Sequence, residues 1–106
     1  MTIRLSKRAQ SDLDDIRVYT VEIWGRAQWL QYYRGMVTAF QRISADTMVG
    51  RNRDLLGPSM RSLLYEKHLI FFAPVTAAGG EPVILRIAHQ SRYLPALAYY
   101  DDLDSV

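Results

Sequence analysis

The chain contains no cysteine. That excludes disulfides, thiolate metal sites and thiol nucleophiles, and a fold held without covalent staples fits the reducing cytosol. Histidine is scarce: His68 and His89 lack the i, i+4 spacing of a helical zinc pair and have no cysteine nearby, so neither a metal site nor a cofactor is expected. No apolar run is long enough to cross a bilayer, and the opening Met-Thr-Ile-Arg-Leu-Ser-Lys-Arg lacks the hydrophobic region of a signal peptide. A cytoplasmic protein without membrane association is the expectation. Lysine is nearly absent, with 2 residues against 11 arginines. Arginine binds carboxylates and phosphates through a planar fork and loses less water at an interface than an ammonium does, although a GC-rich genome gives the same bias.

What is present suits a single folded domain. A chain of 106 residues, 49% of them hydrophobic, can hide about two thirds of its unfolded surface in one core. The net charge is +2, but Asp101, Asp102 and Asp104 sit together near the C-terminus. Residues 1–100 therefore carry 13 basic against 8 acidic side chains, a body too modestly basic to diagnose nucleic-acid binding. No sequence-specific contact with nucleic acid is expected.

Along the chain, Thr2–Leu5 alternates and reads as a short strand. Ser6 can then cap a helix by accepting from an unpaired first-turn amide. From Lys7 to Trp24, the residues Leu13, Ile16, Thr20, Ile23 and Trp24 recur at helical spacing, and Asp12, Asp14 and Asp15 read as a solvated face favoured by the helix dipole. Gly25 is the stop and hinge of a helical hairpin. A second helix, Arg26 to about Asp46, carries a stripe of Leu30, Tyr33, Val37, Phe40 and Ile43, widened by Trp29 and Met36. Trp24, Trp29, Tyr32 and Tyr33 read as core or hairpin packing. Residues 47–59 contain Gly50, Gly57 and Pro58 without periodicity and read as a connecting loop. Met60–Glu66, His68–Val75 and Val83–His89 then read as three strands with short turns, one of them at Ala77-Ala78-Gly79-Gly80. Pro74 cannot donate to a ladder and belongs at a strand end. The apolar run Leu69–Ala73 predicts a central strand covered on both faces, by the helices and by a second layer that another protein can supply.

The fold class is accordingly α+β: an N-terminal strand, an antiparallel helical hairpin and a three-stranded antiparallel meander, in the order β-α-α-β-β-β. Residues 1–92 are expected to form the domain and 93–106 a tail whose structure is left open. This order, with Leu5-Ser6-Lys7-Arg8-Ala9, Asp12-Leu13-Asp14-Asp15-Ile16, Tyr19-Thr20, Trp24-Gly25 and Ala27-Gln28 in the first half, resembles the ParE branch of the RelE/ParE toxins. Met60-Arg61-Ser62, His68-Leu69-Ile70-Phe71 and Ile87-Ala88-His89 extend the resemblance to residues 3–92.

The resemblance implies the toxin of a type II toxin–antitoxin pair, held in a hetero-oligomer by a ParD-like antitoxin. It also implies inhibition of DNA gyrase through its A subunit, by protein contact that traps cleaved DNA and without catalysis. Its alternatives are a RelE-like ribosome-dependent mRNA endoribonuclease and a non-toxic antitoxin-binding remnant. Ribonuclease chemistry needs groups that activate a 2′-hydroxyl and protonate the leaving oxygen. Lys67 is a candidate cation and His89 with Tyr93 a candidate pair for it, yet no complete set is present. The residues expected at the target or antitoxin interface are Arg61, Arg86, His89, Arg92 and Tyr93. Arg61 and Arg86 are read as lying on neighbouring strands, where they can share one face if the register permits. Arg92 and Tyr93 follow the last strand, where arginine and tyrosine commonly anchor contacts. His89 alone also reads as a strand terminator bonded to nearby backbone.

Overall fold

A computed structural model describes residues 3–99. The acidic cluster at 101–104 and Thr2 of the expected first strand lie outside the described residues.

Strand β1, Arg4–Leu5, leads through Ser6 into helix α1, Lys7–Trp24. Ser6 is fully buried, because its hydroxyl does two jobs: it accepts from the Ala9 amide at 3.1 Å and donates to the Leu85 carbonyl at 2.9 Å. The cap thus fixes the start of α1 to the sheet. Gly25, at φ 92°, ends α1 and begins helix α2, Arg26–Ala45. A side chain at that φ is strained, which is why a one-residue hinge requires glycine.

The remaining strands are β2 (Arg51–Asn52), β3 (Arg61–Tyr65), β4 (His68–Pro74) and β5 (Pro82–His89). They form one five-stranded sheet in the order β1-β5-β4-β3-β2, with β1 parallel to β5 and the other pairs antiparallel. The meander is therefore present as β3-β4-β5, and Pro74 ends its strand. Strand β2 lies within the segment read as a loop. It forms because Gly50, at φ 84°, packs against the Ser62 carbonyl while Arg61 donates to the carbonyls of Val49 at 3.1 Å and Gly50 at 2.9 Å. Two residues are too short a run to show periodicity.

The core has two halves, one on each side of the sheet. On the helix side, Ala9, Leu13, Trp29, Met36, Ala39, Phe40 and Ile43 pack on Leu63, Ile70, Phe72, Ile84 and Ile87. Two expectations change here. Ile23 and Trp24 continue the helical spacing but are 55% and 69% exposed at the tip of the hairpin, beside Gly25. In α2 the buried stripe runs Trp29, Met36, Phe40, Ile43, leaving Leu30 and Tyr33 on the outside.

On the other side, Met60, Leu69, Phe71, Val75, Val83 and Leu85 are buried beneath Leu56, Leu94, Leu97 and Tyr99. The second cover of β4 is thus this chain's own loop and C-terminal segment, rather than a separate protein. That segment makes a 3₁₀ turn at Leu94–Ala96, and Tyr99 donates back to the Leu94 carbonyl at 2.8 Å while its ring meets Phe71 edge-on.

Candidate functional site

A groove of about 710 Å³ lies where the hairpin tip overhangs the ends of β4 and β5. One wall is helical: Asp15, Ile16, Tyr19 and Trp24 from α1, with Gln28, Gln31 and Tyr32 from α2. The other comprises Glu66 and Lys67 of the β3–β4 turn, His68 and His89, and Arg92 just beyond β5. Glu66 sits at φ 53°, the left-handed conformation that a two-residue hairpin turn demands.

His68 and His89 are direct cross-strand partners, and their rings meet edge to face at 5.7 Å between centroids. The Tyr32 hydroxyl lies 2.6 Å from His68 Nδ1. Tyr65 in turn donates to the Tyr32 carbonyl at 2.9 Å, and its ring fits against α2 only because residue 35 is glycine, where a Cβ would overlap the phenol. Burial, reinforced by nearby Tyr65 and Glu66, pushes the Tyr32 phenol up to about 12, so it stays protonated. Burial and the adjacent His89 hold His68 below the ordinary imidazole value. His89 Nδ1 accepts from the Ser91 amide at 3.1 Å and lies 2.7 Å from the Ser91 hydroxyl. This is the backbone-bonded end of strand expected of it, and the same ring also lines the groove.

The five expected interface residues do not converge. The register pairs Arg61 with Phe72, which faces the helices, and Arg86 with Phe71, which faces the other half of the core. The two strands are not neighbours, since β4 lies between them, and a bulge between Phe71 and Phe72 leaves Leu85 as an extra residue and sets Arg86 beside Phe71. Arg86 is buried. It binds Asp12 through Nε at 2.7 Å and an NH2 nitrogen at 2.9 Å, and donates to the Ala98 carbonyl at 3.0 Å. The hydrogen bond to Asp12 keeps the guanidinium even more firmly protonated than usual. Asp12 is consequently no solvated helix residue: it also accepts the Ile87 amide at 2.9 Å, on the β5 edge beyond the point where β1 stops.

His89 and Arg92 both line the groove. Tyr93 is 74% exposed at the start of the Leu94–Ala96 turn and does not line the groove wall that His89 lines. Tyr32 was not legible from the sequence as a partner of His68, and Trp24, read as core or hairpin packing with a partner-binding patch as the alternative, stands exposed on the groove wall. Only the cross-strand match of two histidines at the ends of adjacent strands was available as a signal, and it needed the register to be known. Among the described residues, no group of three or more potential ligands is arranged to hold a metal ion, and no helix is long and apolar enough to cross a membrane.

With this geometry in place, comparison with known proteins is specific. Residues 3–94 match the family model for the ParE toxin of the type II toxin–antitoxin system, parDE. Toxin ParE1 of Caulobacter vibrioides is 32% identical over 88 residues, covering 83% of this chain and 88% of that protein. Toxin ParE1 of Mycobacterium tuberculosis is 36% identical over 86 residues, covering 81% and 86%. Among solved structures, a chain from the chromosomal ParDE toxin–antitoxin system of P. aeruginosa superposes with a TM-score of 0.68 at 26% identity, covering 84% of this chain and 95% of that one.

Proposed function

The chain belongs to the ParE toxin family of type II toxin–antitoxin systems, and on that footing we propose that a ParD-like antitoxin restrains it and that its target is the A subunit of DNA gyrase. The toxin acts in the cytoplasm by contact, stabilising gyrase on cleaved DNA, and breaks no bond itself. Support for an antitoxin partner comes from the similarity to a chain of a ParDE system.

The observation that carries a binding role is the apolar hairpin tip. Tyr19, Ile23 and Trp24 are each more than half exposed, and two of them form the wall of a groove whose far side is polar. Contiguous apolar surface rimmed by polar groups is what protein partners cover. His89, Arg92 and Tyr93 stand around or beside this groove and are interface residues in this reading. Arg61 contributes from the opposite end of β3, while Arg86 acts through the fold, since its guanidinium is committed to Asp12.

The test is a gyrase cleavage assay with toxin stripped of antitoxin. Accumulation of gyrase-linked, double-strand-broken DNA, abolished by adding antitoxin back, is the expected result. Intact DNA together with cutting of ribosome-bound message would replace this reading by the ribonuclease one.

A further inference from the structure

A second recess, of about 430 Å³, opens on the sheet face away from the helices, against the outer strand β2. Arg51 and Arg53 line it with Ser62 and Gln90, beside the cross-strand apolar pair Leu64 and Leu69. The histidine groove mixes charges of both signs, whereas among the described residues this wall holds two arginines and no carboxylate. The acid next in sequence, Asp54, is engaged with Asn52, whose side chain donates to its carboxylate at 3.0 Å and accepts its amide at 2.8 Å. Arg86 lies on the same face, but Asp12 neutralises it. The recess is therefore a site of uncompensated positive charge.

The two guanidiniums are held in place. Arg53 donates from Nε to the hydroxyl of buried Ser62 at 2.9 Å and stacks 5.9 Å from the centroid of the Phe71 ring. With Nε used, its terminal amino groups are the donors it can give to a ligand. Arg51 is exposed and pairs across the strands with Ser62. The ladder runs on through Arg53, whose amide donates to the Met60 carbonyl at 2.8 Å. Arg61, by bonding the Val49 and Gly50 carbonyls, braces the chain just before Arg51 and positions both arginines without lining the recess.

We infer that Arg51 and Arg53 grip the phosphate backbone of the DNA that gyrase holds, without reading its sequence. The inference rests on the gyrase reading above and adds a nucleic-acid contact to it. Arginine binds phosphate through its planar fork. Residues i and i+2 of an extended strand lie about 6.6 Å apart, and a DNA strand carries one phosphate per about 3.4 Å of axis, so both side chains can meet phosphates of one strand together. No strand of the sheet lies beyond β2, which leaves the edge open to a long polyanion rather than enclosing a small one. Two phosphate contacts bind weakly by themselves. Beside DNA already held by gyrase, the same contacts act at high effective concentration and add to the toxin's grip on the cleaved complex.

The experiment uses the full-length toxin with two labelled duplexes of unrelated sequence, the gyrase A subunit alone, and gyrase assembled on DNA. Free toxin is expected to bind both duplexes weakly and alike, and Arg51→Gln and Arg53→Gln each to lower the slope of log affinity against log salt by about 1. Arg51→Gln changes an exposed side chain, so its effect is free of the packing that Arg53 supplies. The double variant is expected to bind gyrase on DNA at least about tenfold more weakly than wild type, and the A subunit without DNA equally well. Arg51→Lys with Arg53→Lys keeps both point charges and should recover most of the salt slope. Equal losses with and without DNA assign the arginines to an acidic protein surface and overturn the inference, as does a duplex affinity that neither substitution moves. Displacement of the duplex by a mononucleotide at equal phosphate concentration identifies a small-ligand pocket and overturns it as well. In those cases toxin that still binds gyrase leaves the gyrase reading standing. Toxin that binds duplex through the two arginines but does not bind gyrase overturns that reading and leaves the phosphate site.

Discussion

Asp12 grips Arg86 at two nitrogens, 2.7 and 2.9 Å away, and from the same carboxylate accepts the Ile87 amide at 2.9 Å. One side chain thereby closes the β5 edge left open where β1 turns into α1, and balances the charge of a buried arginine. Arg86 continues the connection to the Ala98 carbonyl at 3.0 Å, so helix, sheet edge and C-terminal segment are joined through three residues.

Removing the acid should therefore cost more than removing the base. Asp12→Ala leaves a buried guanidinium and an edge amide without partners, and a loss of about 2–4 kcal/mol is expected, since the two side chains are 15% and 10% exposed. Arg86→Met leaves the Asp12 carboxylate without its counter-charge but still accepting the Ile87 amide, and should cost somewhat less. Urea midpoints of the two variants measure the difference, and equal losses would show that the clasp owes its strength to packing alone.

Acid should weaken the free toxin through His68. Its folded pKa lies below the unfolded value, so the unfolded chain takes up the proton first. The contribution is complete above about pH 6.5 and is lost as pH falls through the folded value. Wild-type stability in urea should thus drop between pH 7 and pH 5 more than that of His68→Phe. The opposite slope, stability rising with acid in wild type alone, would contradict the burial of this ring.

Gly35→Ala tests the fit of Tyr65 against α2. Alanine gains about 1 kcal/mol of helix propensity over glycine, yet its Cβ would overlap the Tyr65 phenol. A net loss of about 1–3 kcal/mol is expected from the overpacking. Adding Tyr65→Ala should remove most of that steric penalty, so the two changes combine with strong non-additivity in thermal melts.

The hairpin tip separates binding from folding. Trp24→Ala, at a site 69% exposed, should change stability by no more than about 0.5 kcal/mol while weakening partner binding at least about tenfold. Phe40→Asp, at a site only 6% exposed, should abolish the fold, because an unpaired buried charge consumes much of a total stability of about 5–15 kcal/mol. Circular dichroism beside a pull-down with antitoxin distinguishes the two outcomes.

The elements were legible because they rest on local chemistry. Ser6 as cap, Gly25 as hinge and Pro74 as strand end each follow from what one side chain or one missing amide hydrogen permits. The sheet-facing stripe of α2 was half legible: Met36, Phe40 and Ile43 sit where spacing puts them, but whether Trp29 or Leu30 turns inward depends on what lies opposite. Strand β2 escaped because two residues held by Arg61 carry no pattern of their own.

Sequence alone determined the kind of architecture and the family, since hydrophobic period, capping and turn residues act over a few neighbours and their order is itself a signature. Tertiary structure decided the site. Whether Asp12 meets water or Arg86, whether Arg61 and Arg86 share a face, and whether His68 meets His89 all depend on the register of β4 against β5 and the bulge at Leu85. A shift of one residue in a pleated sheet reverses the direction of every side chain after it.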